Sequence, residues 1–261
     1  MKARDWLNQG LPGRTVLARA SGRDEVESFL RGLRPVETGH ALVRVGGDGD
    51  GGYLVPDDLA GIEACFSPGV ANSATFELEM ARRGIPSFMA DYSVEGPPEE
   101  HPMFRFEKKF LGPREDERHV TLDGWVGRCA PGTGDLALQM DIEGAEWEVL
   151  LAASDATLGR FRVMVLELHD VQRAWERAGL MLMRAALRRL EAGFVVAHVH
   201  PNNRGGSVRR RGLDVPPLLE VTWLRRDRLR GRGGWARLPH PLDRPNVVGR
   251  PESALPGCWN A

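Results

Sequence analysis

Short apolar runs alternate with amphipathic helical patterns through most of this 261-residue chain. Strands are predicted at 62–67, 86–90, near 104–106, 136–140, 163–168, 194–200 and 218–225, the last two as a closing pair. Helices are predicted at 73–83, 147–153 and 172–192. Strands separated by helices favour an α/β fold in which a mostly parallel sheet carries helices on both faces. No internal repeat is visible, so one main domain is the simpler prediction.

The first 36 residues are predicted to form a helical extension that precedes the main domain at 37–261. Ser21 is predicted to cap a helix there. Four apolar residues follow it at helical spacing: Val26, Phe29, Leu30 and Leu33. This extension and the Pro-, Glu- and Arg-rich stretch at 93–118 lie outside the sheet pattern. Substrate selectivity or contacts between subunits, for example in a homodimer, are therefore expected in these two segments.

Composition narrows the class of protein. The formal net charge is −1, whereas a nucleic-acid-binding protein usually carries a clear basic excess. The three cysteines are Cys65, Cys129 and Cys258, and because they form no CxxC pair, a reducing compartment is expected. The N-terminus has no stretch typical of a signal peptide, and no run of about 18 apolar residues occurs. A cytoplasmic protein without nucleic-acid or membrane partners is therefore expected.

Polar residues follow the predicted strands, where ligands of an open parallel sheet collect. They are Ser67, Asp91, Asp141, Glu143, Glu167, His169, Asp170, His198 and His200, and Pro68 and Gly69 directly follow Ser67. Gly69 would let a ligand approach the backbone, and Asp91, about twenty residues further on, could accept hydrogen bonds from ribose hydroxyls. The alternative is a tight turn with a solvated aspartate. The full GxGxxG pattern is absent, and the glycine-rich run at 46–52 lacks a phosphate-loop ending.

The segment from Asp141 to Trp147 places three carboxylates where a strand meets a helix. Complementarity to the helix dipole would explain Glu143 or Glu146, but it explains Asp141 less well because Asp141 still belongs to the strand end. His198 and His200 share one face of a strand. With His169, Glu167 and Asp141 they could form a general-base site or hold a divalent metal. Alternatively, one or both of His198 and His200 form hydrogen bonds with the backbone at the sheet edge.

Several segments resemble a known family. DIEGAEWEVL (141–150), with VTLDGW (120–125) before it and VLELHD (165–170) after it, resembles the FkbM-type methyltransferases. DGGYLVPDDL (50–59), CFSPGVANSATFELEMARRG (65–84), HVHPNN (198–203) and LPHPLDRPN (238–246) look like one branch of that family. The resemblance implies a Rossmann-like class I methyltransferase fold with a seven-stranded sheet that binds S-adenosylmethionine. The usual glycine-rich first motif is reduced here to SPGVANS.

The resemblance also implies roles for particular residues. Ser67, Pro68 and Gly69 would approach the methionine part of the cofactor, and Asp91 its ribose. The segment formed by Asp50, Gly51, Gly52 and Tyr53 would close over the cofactor. Asp141 would lie near the reactive methyl group.

The hypothesis is O-methylation of a small-molecule or peptide-derived metabolite, as in natural-product biosynthesis. His169 or His200 would act as the base and Asp141 would orient it. Asp141, Glu167 and His198 could in addition hold Mg²⁺ or Mn²⁺. The alternatives are N-methylation of a peptide or its side chain, and a catalytically silent cofactor-binding partner protein. A nucleotide-dependent oxidoreductase or sugar-modifying enzyme is disfavoured because GxGxxG is absent.

Overall fold

The computed structural model describes residues 19–231 and 233–259. The strands, in chain order, are β1 (Leu42–Val45), β2 (Tyr53–Pro56), β3 (Ala64–Pro68), β4 (Ser87–Ala90), β5 (Phe104–Glu107), β6 (Phe110–Leu111), β7 (His119–Val120), β8 (Leu136–Met140), β9 (Phe161–Leu168), β10 (Phe194–Pro201), β11 (Val208–Arg210), β12 (Leu213–Val215) and β13 (Leu219–Arg225). The α-helices are α1 (Arg23–Arg31), α2 (Thr75–Arg82), α3 (Leu122–Cys129), α4 (Glu146–Ala152), α5 (Asp155–Leu158) and α6 (Arg177–Glu191). Short 3₁₀ turns cover Val171–Trp175, Arg226–Arg228 and Gly257–Trp259.

Seven strands form the central sheet in the order β10-β13-β9-β8-β3-β4-β5. The strands from β9 to β5 are parallel neighbours, and β13 runs antiparallel between β9 and β10. The prediction of a seven-stranded, mostly parallel sheet is therefore confirmed. The expected closing pair is present too, since β10 pairs with β13 from Phe194–Arg225 to Pro201–Leu219.

The two faces of the sheet are covered differently. Phe66, Leu138 and Leu166 point into a core shared with α1, α3, α4 and α6. Their chain neighbours Cys65, Ala137 and Val165 point the other way, because side chains alternate along a strand. There they pack against α2 and against the hairpin formed by β1 and β2. The sequence did not predict this hairpin. The hairpin places residues 50–53 beside the carboxyl end of the sheet.

The N-terminal helix differs from prediction at its first residue. The N-cap is Gly22, not Ser21, and the Gly22 amide donates to the Glu25 carboxylate at 2.8 Å. The Ser21 amide instead donates to the carbonyl of Trp175 at 2.9 Å. The apolar residues at helical spacing are buried in the core of the main domain, although the sequence predicted this helix as part of an extension outside it. Residues 1–18 of the predicted extension lie outside the described part of the chain.

The helix predicted at 172–192 is two elements. A 3₁₀ turn ends at Trp175, and α6 begins at Arg177, with Glu176 extended between them at φ −99° and ψ 132°. The extended residue pairs with Ala20 as an isolated antiparallel bridge. Tertiary pairing with the N-terminal segment therefore interrupts the helical pattern. None of the helices in the described residues is long and apolar enough to cross a membrane.

Candidate functional site

A cavity of about 650 Å³ opens at the carboxyl ends of β3, β8 and β9. Nine of the residues singled out in the sequence line it: Asp50, Gly51, Tyr53, Gly69, Asp141, Glu143, Glu167, His169 and Asp170. Residues that sequence reasoning did not single out line it as well, among them Glu77, Gln139 and Arg204. Parallel strands end at one edge of a sheet, which explains why residues so far apart in the chain meet here.

The glycine-rich loop that joins β1 to β2 forms one wall of the cavity. Arg44 holds this loop by donating from Nε to the carbonyl of Gly47 at 2.7 Å and from a terminal nitrogen to that of Gly49 at 3.1 Å. At the tip, Asp50 pairs with Arg204 at 2.6 Å. Arg204 follows β10, so this ion pair joins two loops that both line the cavity. Asp50 is thus at the cavity as predicted, and it already has a cationic partner.

Ser67 and Pro68 end β3 but do not line the cavity. Ser67 is buried beneath it, within 2.6 Å of the side-chain oxygen of Gln139 and in contact with the Glu77 carboxyl group. Gln139 in turn donates to the Tyr53 hydroxyl at 3.4 Å. A polar chain therefore runs under the cavity from Glu77 to Tyr53. Gln139 was visible in the sequence as the single polar residue of an apolar strand, and Glu77 was not expected on a buried helix face.

Asp91 lies at the end of β4 as predicted, directly after its last residue Ala90, but it is buried and does not line the cavity. One of its oxygens accepts the amide of Ala71 at 3.0 Å, and the other accepts the amide and hydroxyl of Ser93 at 2.8 and 2.7 Å. Asp91 therefore stabilises the turn that follows β3, where Ala71 has a positive φ of 42°.

His198 and His200 lie on β10 and do not line the cavity. His198 Nε2 lies 2.9 Å from Asp243, and its ring faces His240. His200 Nδ1 lies 3.3 Å from Glu220. The predicted grouping of these two histidines with His169 is therefore not observed. The reason is topological, because β13 separates β10 from β9.

His169 is held by Glu146 at the start of α4. One oxygen of Glu146 accepts the amides of Ile142 and Gly144, at 3.0 and 3.1 Å, and also lies 3.1 Å from His169 Nδ1. Glu143 and Gly144 make the tight turn, with φ of 57° and 108°. Glu146 is fully buried. It does more than complement the helix dipole, because it shapes the turn and orients the imidazole.

Burial and mutual repulsion shift the titration of the cavity carboxyl groups. Burial raises the pKa of Asp141 to about 7. Burial, with the charges of Asp141 and Glu220, raises the pKa of Glu167 to about 10. Burial alone would lower the pKa of His169, but the hydrogen bond to Glu146 and the surrounding carboxylates raise it to about 9. Without a ligand, His169 is therefore protonated and Glu167 neutral at pH 7.

Three buried carboxyl oxygens around His169 have no hydrogen-bond partner within the described residues. They are Asp141 Oδ1, Glu146 Oε2 and Glu167 Oε2. A buried oxygen without a partner is costly, so each of them is suited to a ligand that brings a positive charge or a proton donor.

Replacing Glu146 with glutamine should lower the pKa of His169 from about 9 toward its ordinary value. The amide oxygen of glutamine can still accept the backbone amides of the turn, but it carries no charge to stabilise the imidazolium. NMR titration of the His169 ring measures this change. Glu148→Gln is the matched control, because Glu148 lies on the same helix with its side chain exposed. An unchanged His169 pKa in Glu146→Gln would contradict the assignment.

Comparisons with known proteins give little further information. No protein-family model matches this chain, and no curated protein matches it. Among solved structures, the crystal structure of TrmN from Thermus thermophilus is similar, with 15% sequence identity and a TM-score of 0.32. The match covers 62% of this chain and 44% of that one, so this chain spans less than half the length of the protein it matches.

Proposed function

We propose that this protein is an S-adenosylmethionine-dependent methyltransferase of the FkbM type, with a class I methyltransferase fold. One observation carries the proposal. The segments that resemble this family lie far apart in the chain, yet residues from four of them line one cavity: Asp50, Gly69, Asp141 and His169. This cavity lies at the carboxyl edge of the parallel strands, where α/β sheets bind their ligands.

The charge of the cavity supports the same proposal. S-adenosylmethionine supplies an electrophilic methyl group on a positively charged sulfur atom. Asp141 and Glu167 each present a buried, unpartnered oxygen that suits a positive charge. Gly51 and Tyr53 would contribute the wall on the hairpin side, and Gly69 the wall at the end of β3. Asp91, Ser67 and Pro68 would act indirectly, by holding the turn and the floor beneath the ligand.

An alcohol acceptor must lose a proton on methylation. Among the described histidines, only His169 lines the cavity, so it fits the role of base better than His200. His169 is protonated at neutral pH in the protein alone, because its pKa is about 9. A base at this position therefore works only when a bound positive charge has lowered that pKa, or at alkaline pH. We favour O-methylation of a small-molecule or peptide-derived metabolite, because His169 can accept the acceptor's proton under those conditions.

N-methylation is the second candidate, and the excess of carboxyl groups supports it. Asp50, Glu77, Asp141, Glu143 and Glu167 all line the cavity, and their oxygens could accept hydrogen bonds from the amine of an acceptor. Fragmentation of the methylated product distinguishes the two reactions, because it locates the new methyl group on oxygen or on nitrogen. A protein that binds the cofactor but methylates no acceptor would be a silent binding partner.

Calorimetric titration with S-adenosylmethionine and with S-adenosylhomocysteine, both in EDTA at pH 8, tests the proposal. We expect one site per chain with micromolar affinity. Asp141→Asn should weaken binding of the positively charged S-adenosylmethionine about tenfold, equivalent to about 1.4 kcal/mol. It should weaken binding of the uncharged thioether S-adenosylhomocysteine far less.

Asp48→Asn is the control for this titration, because Asp48 is an exposed carboxylate of the glycine-rich loop outside the cavity lining. It should bind both compounds as the unmodified protein does. If the folded protein binds neither compound, the proposal is wrong. An equal loss for both compounds in Asp141→Asn would refute the electrostatic role of Asp141.

A further inference from the structure

Three potential metal ligands face one another inside the cavity. Asp141, Glu167 and His169 each offer one ligand atom, and these atoms all lie within 4.8 Å of one another. His169 Nε2 lies 3.8 Å from Asp141 Oδ1 and 4.0 Å from Glu167 Oε1. Glu167 is only 4% exposed, and its Oε2 has no hydrogen-bond partner in the described part of the chain. Asp141 Oδ1 is buried and unpartnered in the same way.

The hydrogen bonds of His169 hold its ring so that Nε2 faces the other two ligands. Nδ1 lies 3.1 Å from Glu146 Oε1 and 3.2 Å from the carbonyl oxygen of Glu167. Both of these atoms can only accept, so Nδ1 carries a hydrogen. Nε2 is therefore the nitrogen whose lone pair can face a cation once its own proton has left. A carboxylate that accepts from the second nitrogen is the usual support of a metal-binding histidine.

Glu167 has a comparable support. The side-chain amide of Asn202 donates to Glu167 Oε1 at 3.3 Å, which leaves Oε2 as the unpartnered oxygen. Asn202 is completely buried. Each of these two ligands is therefore oriented by a buried residue from another element, as in a built metal site rather than a solvated acidic patch.

We propose that Asp141, Glu167 and His169 bind a divalent cation of the Mg²⁺ or Mn²⁺ type. Two carboxylates and one imidazole form a donor set dominated by oxygen, which suits these hard cations. The ligand set differs from the one predicted from sequence, because His198 is paired with Asp243 outside the cavity. Glu146 and Asn202 are positioning residues for this site.

A second group, Asp50, Glu167 and Glu220, shares Glu167 with the first. Its other two members already have partners. Asp50 pairs with Arg204, and Glu220 accepts a hydrogen bond from Asn246 and faces His200. The first group is therefore the better site for a cation. Within the proposed methyltransferase function, and resting on it, His169 would be a cation ligand when the cation is bound and would act as the base only without it. The cation would bind the acceptor hydroxyl and lower its pKa, so that the proton is lost to water.

Manganese titration followed by electron paramagnetic resonance tests the site directly, because free Mn²⁺ loses its sharp signal on binding. The full chain is stripped with EDTA, exchanged into metal-free buffer and titrated without any nucleoside. We expect one Mn²⁺ site per chain, and we expect Mg²⁺ to displace the bound Mn²⁺ from it. Glu167→Gln should weaken Mn²⁺ binding at least about a hundredfold, and Glu146→Gln about ten- to a hundredfold.

Glu167→Gln should keep its fold, because the side-chain oxygen of glutamine can still accept the hydrogen bond that Asn202 donates to Glu167 Oε1. Circular dichroism checks this. Asp170→Asn is the matched control, since it removes a carboxylate from the cavity lining outside the three ligands, and it should retain Mn²⁺ binding. Equal losses in both variants would mean diffuse attraction and overturn the site. Absence of binding tighter than millimolar to the folded protein would overturn it too.

The two proposals can fail separately. The calorimetric test of the methyltransferase proposal is carried out in EDTA, and the manganese titration contains no S-adenosyl compound. Binding of S-adenosylhomocysteine without Mn²⁺ binding would leave the methyltransferase proposal standing and reject the cation site. Binding of Mn²⁺ alone would support the cation site and reject the proposed cofactor.

Discussion

Replacing Glu77 with glutamine should raise the free energy of unfolding by about 3 kcal/mol at pH 8 and above. Glu77 lies on α2, is only 2% exposed, and has a pKa that burial raises to about 7. The unfolded chain titrates near the ordinary value of 4.5. Between these two pH values the folded state binds the proton more tightly, so stability falls as the pH rises through this window. Glutamine removes the charge that the folded protein would otherwise bury.

The contacts of Glu77 support a neutral carboxyl group. Ser67 Oγ has one hydrogen, yet it lies at hydrogen-bonding distance from the acceptor oxygens of both Glu77 and Gln139. A protonated Glu77 resolves this conflict by donating to Ser67, which then donates to Gln139. The side-chain amide of glutamine at position 77 can make the same donation, so the substitution keeps the hydrogen bond while removing the titration.

Urea denaturation at pH 4.5, 6 and 8 measures the effect. Near pH 4.5 the two proteins should differ by less than about 0.5 kcal/mol, since the carboxyl group is neutral in the folded state there. Asp141, Glu167 and His169 are present in both proteins, so their titration cancels in the difference. Glu79→Gln on the same helix is the control, because Glu79 forms partly exposed ion pairs with Arg82 and Arg83. If the difference in free energy of unfolding between the two proteins stays constant with pH, Glu77 does not become a buried charge in the folded protein.

The strands of the central sheet could be predicted from the sequence because most of them are buried on both faces. The strand at 136–140 is predicted with its observed bounds, and the others are within about two residues. The hairpin of β1 and β2 was missed. Its strands are four residues long and flank a glycine-rich loop, so each is too short to show a period. Pairing with each other and packing on the sheet define them.

The candidate site could be predicted only where strand order follows from the sequence. Asp141 and Glu167 end neighbouring parallel strands, and the expectation that they meet is consistent with the structure. His200 was expected beside them, but β13 inserts between its strand and β9. Glu220 of β13 pairs in register with Glu167 on one side and His200 on the other. No local pattern indicates such an insertion, because it depends on the packing of the whole sheet.

Gly69 lies where the sequence predicted, but the structure gives a different reason for a glycine at this position. The sequence predicted a glycine that lets a ligand approach the backbone. Gly69 does line the cavity, but a Cβ atom there would lie 1.5 Å from the carbonyl oxygen of Asp141. The amide of Asp141 also donates to the carbonyl of Pro68 at 3.3 Å. Close approach of the segments that follow β3 and β8 therefore requires glycine at this position, whether or not a ligand binds.

Gly69→Ala should therefore lower the free energy of unfolding by about 2 to 5 kcal/mol. The positive φ of 87° contributes about 1 to 2 kcal/mol of this loss, because an alanine is strained there. The clash with Asp141 adds about 1 to 3 kcal/mol, since the two segments must separate. Urea denaturation at pH 6 gives the change directly.

Gly84→Ala separates the two contributions. Gly84 has a similar φ of 76°, but a Cβ atom there would meet no atom within 4 Å. Gly84→Ala should lower the free energy of unfolding only by the strain contribution of about 1 to 2 kcal/mol. The excess loss in Gly69→Ala then measures the contact between the ends of β3 and β8. If both variants lose the same amount, the close approach is not what requires glycine, and ligand access again becomes the better explanation of Gly69.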